Sequence, residues 1–137
     1  MQRGRLVLGL VAGIFVILSS AAHSLLGWPQ LRIKLTESGA PSDLIVGLSV
    51  GWHFAGVAMM VFGIIVVLQF TDALRQRAVS LRPSLVIAIA YLIFGTWALT
   101  VSNLDPFFLI FLIPGTMLLI GAWGRAGPSP AADERAP

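Results

Sequence analysis

The sequence predicts an all-α integral membrane protein, a four-helix bundle with both termini on the cytoplasmic side. Three observations predict it. The chain of 137 residues is 57% hydrophobic and only 11% charged, with a mean hydropathy of +0.90. That is less than half the ~25% of charged residues in an ordinary soluble domain. The charge is also patterned, because no Asp, Glu, Lys or Arg occurs in residues 6–31, 44–71, 83–104 or 106–124. Each of these runs meets or approaches the ~20 residues that carry a helix across ~30 Å of hydrocarbon. Finally, the basic residues are divided unequally among the connections, and this sets orientation. The expected spans are about 6–28, 44–71, 83–104 and 106–124. They form one domain over residues 1–126, followed by a disordered cytoplasmic tail over residues 127–137 that carries three prolines and three charges.

The first span follows Arg3 and Arg5 and begins at Leu6. A secretory signal peptide opens in the same way, and Ser20-Ala21-Ala22 has the small residues of a cleavage site. The apolar run nevertheless continues past Ala22 to Trp28, so a retained helix is expected. Along it Gly9, Gly13, Val16, Ser20, His23 and Gly27 recur at steps of three and four, which places them on one helical face. Gly9-xxx-Gly13 lets a neighbouring backbone approach closely, as helices do where lipid supplies no hydrophobic contrast.

Residues 29–42 form the longest internal connection. Residues 30–38 fit either a short interfacial helix, with Leu31 and Leu35 four apart, or a solvated loop. Gly39 and Pro41 supply a stop signal, and Ser42 or Asp43 is expected to cap the second span. The second run places His53, Gly56, Met60 and Gly63 on one face, with Gly47-xxx-Gly51 a turn earlier. Asp72, Arg75, Arg77 and Arg82 make a basic connection, and Pro83 suits a first helical position. In the third span Thr96, Thr100 and Asn103 share a face. A tight turn with Asp105 as cap and Pro106 at the first helical position leads to the fourth span, which Pro114-Gly115 should kink. Trp28 and Trp123 read as interfacial anchors, while Trp52 and Trp97 could wall a cavity or face lipid.

Arg3, Arg5, Arg75, Arg77, Arg82, Arg125 and Arg135 fall on one side of this arrangement, and only Arg32 and Lys34 on the other. Seven against two places both termini in the cytoplasm of a bacterial inner-membrane protein. The basic pI of about 10.7 is accounted for by this topology and gives no sign of a nucleic-acid partner. The absence of cysteine excludes disulfides, thiol chemistry and iron–sulfur ligation.

The chemistry-bearing residues are few. His23 lies 17 residues beyond Leu6, His53 17 before Phe70, and Thr100 17 beyond Pro83. A rise of ~1.5 Å per residue sets all three about 25 Å above the cytoplasmic edge, with Asn103 slightly higher. An ionisable group inside a membrane is a functional candidate by default. His23, His53, Thr100 and Asn103 are therefore the candidate cofactor-binding residues, gathered on inward-facing stripes. Three chemistries fit two level histidines: axial ligation of haem b, with His23 and His53 as the metal ligands; a quinone or small-lipid pocket; and a proton-responsive switch. Zinc needs three protein ligands, and only Asp105 is available as a third. The opposite reading is that each histidine hydrogen-bonds a neighbouring helix and serves packing alone.

His23-Ser-Leu-Leu-Gly-Trp-Pro29, Leu35-Thr-Glu-Ser-Gly-Ala-Pro41 and Gly51-Trp-His-Phe-Ala-Gly56 resemble the DoxX-like membrane proteins, small four-helix bacterial proteins. Histidines stand here where that family carries a lysine and a carboxylate. The resemblance implies a four-helix bundle associated with membrane redox systems. The functional expectation is an accessory subunit, not an enzyme on its own, with an outward-facing histidine-lined site for a hydrophobic cofactor or quinone-like ligand. Its partners would be the lipid bilayer and either a membrane redox protein or further copies of itself. A structural protein whose polar stripes serve packing is the alternative, and a small transporter, weakened by the lack of a buried carboxylate, is the third.

Overall fold

A computed structural model describes residues 2–123; Met1 and residues 124–137, which include Arg125, Arg135 and the expected tail, lie outside the described residues. The described chain is all-helical. Its order is α1 (Gln2–Ala22), a π-helical turn (His23–Gly27), α2 (Trp28–Glu37), α3 (Ser42–Leu74), α4 (Arg82–Val101), a 3₁₀ turn (Pro106–Phe108) and α5 (Leu109–Ala122). These make four rods. Arg3–Glu37, Ser42–Leu74 and Arg82–Val101 are long and apolar enough to cross a membrane, and Pro106–Ala122 is apolar but shorter.

The first rod departs from expectation. Residues 30–38 take the helical one of their two alternatives, but Pro29 does not end the first helix and no break separates them: α1, the π turn and α2 run on as 35 residues from Arg3 to Glu37. Proline has no N–H to give its own turn, so an α-helical register would leave the Leu25 carbonyl without a donor. The chain widens one turn earlier, and the Trp28 N–H bonds back to the His23 carbonyl, five residues away. The rod stops at Gly39, whose φ of +74° suits glycine. There Ala40 N–H bonds Leu35 O and Gly39 N–H bonds Thr36 O, closing the last turn. Neither Ser42 nor Asp43 makes a capping bond; Asp43 sits in the first turn of α3, where its charge meets the positive end of the helix dipole.

The rods pack in the order α3, α1, α5, α4, with α4 returning to touch α3. We call the end holding Arg5, Leu74 and Ala122 the lower end, and that holding Lys34, Ser42 and Asn103 the upper end. The lower end is solid. Val66, Phe70, Leu81 and Leu118 are fully buried there. Ser84 Oγ donates to Gln69 Oε1 at 2.6 Å, and Gln69 Nε2 donates to the Ser80 carbonyl at 3.1 Å, clasping α3 to α4. Arg5 Nε–H donates to Ile120 O at 3.0 Å, joining α1 to the last turn of α5. Close approach explains two expected glycines. A Cβ at Gly13 would lie 2.7 Å from Val66 Cγ1, and one at Gly63 2.6 Å from Ile17 Cγ1. The Gly47-xxx-Gly51 pair on α3 faces open space instead.

Candidate functional site

The upper end is where the rods part. A cleft of about 730 Å³ opens between the α1–α2 rod and the α4–α5 pair, within the ~300–1,000 Å³ typical of small-molecule sites. One wall is a single stripe of the first rod, carrying Val16, Ser19, His23, Gln30 and Lys34. The facing wall is aromatic, with Phe94, Phe107, Phe108 and Phe111; Phe94 and Phe111 meet edge to face, centroids 4.9 Å apart. Met59, Tyr91 and Pro114 complete the lining, with Trp52 on the α3 side. Nothing acidic lines the cleft.

His23 reaches this wall through the π turn. Its ring lies flat on the Trp52 indole, centroids 4.2 Å apart and planes 3° from parallel. Its Nε2 is 3.2 Å from the Trp52 carbonyl. A carbonyl only accepts, so Nε2 carries the proton, and Nδ1 of the neutral ring is an acceptor. Trp52 Nε1–H in turn donates to the His23 carbonyl at 2.8 Å. The adjacent Ser20 is buried and donates to the Gly56 carbonyl at 2.9 Å. Ser20 is thus a packing residue. Ser19, one position earlier, lines the cleft, and its hydroxyl has no partner among the described residues.

The four residues expected to share a site do not all meet. His53 stands on the exposed side of α3, its Nδ1–H donating to the Ser49 carbonyl at 2.8 Å, and it does not line the cleft. Its ring meets Trp28 edge-on at 5.7 Å, and Trp28 meets Trp52 at 6.3 Å. The two histidines therefore terminate one run of four rings, with the tryptophans between them. Trp28, expected at the interface as an anchor, is buried inside that run. Thr100 donates to the Thr96 carbonyl at 2.8 Å on an exposed face of α4, so that stripe points outward. Asn103 is a turn residue with φ of 55°, a conformation asparagine tolerates. Asp105 caps as expected, its Oδ1 accepting from the Phe107 N–H at 2.9 Å.

An axial haem pair needs both imidazoles at one iron, and this cleft holds His23 without His53. Among the described residues no three His, Asp or Glu side chains gather as a metal set. Two cleft residues were not legible from spacing. Ser20 fits the glycine stripe and Ser19 falls beside it. Tyr91 is the one tyrosine of the chain, and that isolation in an apolar span was the available signal. Its hydroxyl is the one buried side-chain polar atom without a partner among the described residues.

No family model matches the chain, and no curated protein or solved structure matches it either. What defines the class is the fold itself: an all-helical protein with three helices long and apolar enough to cross a membrane.

Proposed function

We propose that this chain is a four-span protein of the bacterial cytoplasmic membrane, with both termini cytoplasmic, that holds a hydrophobic cofactor or quinone-like ligand. It is an accessory subunit of a membrane system and has no chemistry of its own. The observation that carries this reading is the cleft of about 730 Å³, apolar and aromatic except for one polar stripe through His23. The division of arginines supports a cleft toward the outer leaflet. The test is purification followed by organic extraction and mass spectrometry. A hydrophobe should co-purify with the wild-type chain and be lost from Ala22→Trp, which fills the cleft from its wall. An empty wild-type cleft, with no shift in unfolding temperature on adding quinone analogues, would sink the proposal.

The packing reading keeps one observation of its own. The reciprocal bonds of His23 and Trp52 use the histidine as a fastener between α1 and α3. Under that reading His23→Ala lowers stability and there is no ligand to lose.

A further inference from the structure

We infer that the cleft is built for a hydroxylated aromatic ring, binding the hydroquinone form of a quinone-like hydrophobe in preference to the quinone. Resting on the proposal that the cleft is a ligand site, this inference assigns Ser19 and His23 as the two polar contacts.

The orientation of His23 carries the argument. Its Nε2 points to the Trp52 carbonyl, and its Cδ2 would lie 3.6 Å from a Cβ placed on Gly56 of α3. Both atoms of that edge face α3, so the opposite edge, with Nδ1, is turned away from it. The bond to Trp52 fixes the proton on Nε2, leaving Nδ1 as a lone-pair acceptor. Ser19 sits four residues earlier on the same stripe, about 6 Å lower along the axis. Its hydroxyl has no partner among the described residues, and it is not among the sealed buried polar atoms, unlike that of Tyr91. The wall thus offers an acceptor above and a donor below, separated by roughly the span of a ring with para oxygens. Phe94 and Phe111 stand opposite, where an aromatic ring packs well.

A hydroquinone satisfies both positions. One hydroxyl donates to His23 Nδ1, and the oxygen of the other accepts from Ser19. A quinone accepts from Ser19 equally well but sets its second carbonyl against the Nδ1 lone pair. The cleft contains no charge at this level, since Lys34 lies eleven residues up the rod, and so it selects a neutral ligand.

The test uses the purified full-length chain in detergent under anaerobic conditions, with decylhydroquinone, the matching quinone and the hydroquinone dimethyl ether as probes. The hydroquinone should bind about tenfold tighter than either of the others, the ratio that one additional neutral hydrogen bond supplies. Ser19→Ala should weaken hydroquinone and quinone alike and leave their ratio unchanged. His23→Gln places an amide N–H near the Nε2 position, keeping the bond to Trp52 while moving the acceptor off the Nδ1 position, so the ratio should fall to about one. His23→Asn, with its oxygen near the Nδ1 position, should restore part of it. Equal binding of hydroquinone and quinone by the wild-type chain, or a ratio that survives His23→Gln, overturns this inference and leaves the ligand site standing. Failure of all three probes to bind removes the ligand site as well.

Discussion

His23 and Trp52 hold each other through both their backbones and their side chains. The indole N–H donates to the His23 carbonyl at 2.8 Å, the imidazole returns a bond to the Trp52 carbonyl at 3.2 Å, and the rings stack between them. The His23 carbonyl is the same one that the π turn presents to the Trp28 N–H. One widened turn therefore serves three purposes: it carries the helix past Pro29, fastens α1 to α3, and sets the imidazole Nε2 against the Trp52 carbonyl.

The clasp predicts energetic coupling. Both carbonyls have other donors within their helices, so each side-chain bond contributes at the modest end, about 0.6 kcal/mol by the standard of membrane helices. With ring stacking added, a double-mutant cycle on His23→Ala and Trp52→Leu should give about 1–2 kcal/mol of coupling in reversible unfolding in detergent. Additive losses would mean the two residues act separately.

The glycines separate by what faces them. Gly13→Leu drives a side chain into Val66, and such overpacking commonly costs about 1–3 kcal/mol. Gly47→Leu meets open space and should leave the unfolding temperature unchanged or raise it, because leucine favours the helix over glycine. A comparable loss at both sites would show that the Gly47 face is covered by another molecule.

Much of the fold was legible because charge-free runs and small-residue stripes report helix length and close packing directly. The rods, the Asp105 cap and the buried faces of Gly13 and Gly63 follow from them. Azimuth was not legible. Counting residues gives the depth of Thr100 but not its direction, and α4 packs on α5 with that face turned out. Proline usually marks a helix boundary, and here it does not. The π turn that absorbs it has no sequence signature beyond the proline itself. Ser19 and Ser20 differ by one position, and only the angle between α1 and α3 decides which is packed and which is open.

Orientation can be checked with reporter fusions. Seven basic residues against two predict cytoplasmic signal from fusions at Arg77 and at the C-terminus, and periplasmic signal from one at Gly39. The opposite result at the C-terminus would mean that Pro106–Ala122, the shortest rod, does not cross.

Colour tests the histidines. Because the cleft holds His23 alone and the two tryptophans lie between the imidazoles, the purified chain should show no Soret band, with or without added haem. A six-coordinate haem spectrum abolished by His23→Ala and by His53→Ala would require the four-ring run to open.

Tyr91 gives the sharpest stability test. Its side chain is buried at 7% exposure on α4, and its hydroxyl has no partner among the described residues. An unsatisfied buried hydroxyl costs about 1–3 kcal/mol relative to one that is paired. Tyr91→Phe removes that oxygen and keeps the ring against Phe111, whose centroid lies 6.1 Å away. Unfolding of the ligand-free chain in detergent should then occur at the same or a higher temperature, with a gain of up to about 1 kcal/mol. A loss of that size would show that the hydroxyl has found a partner, a trapped water in the ligand-free chain.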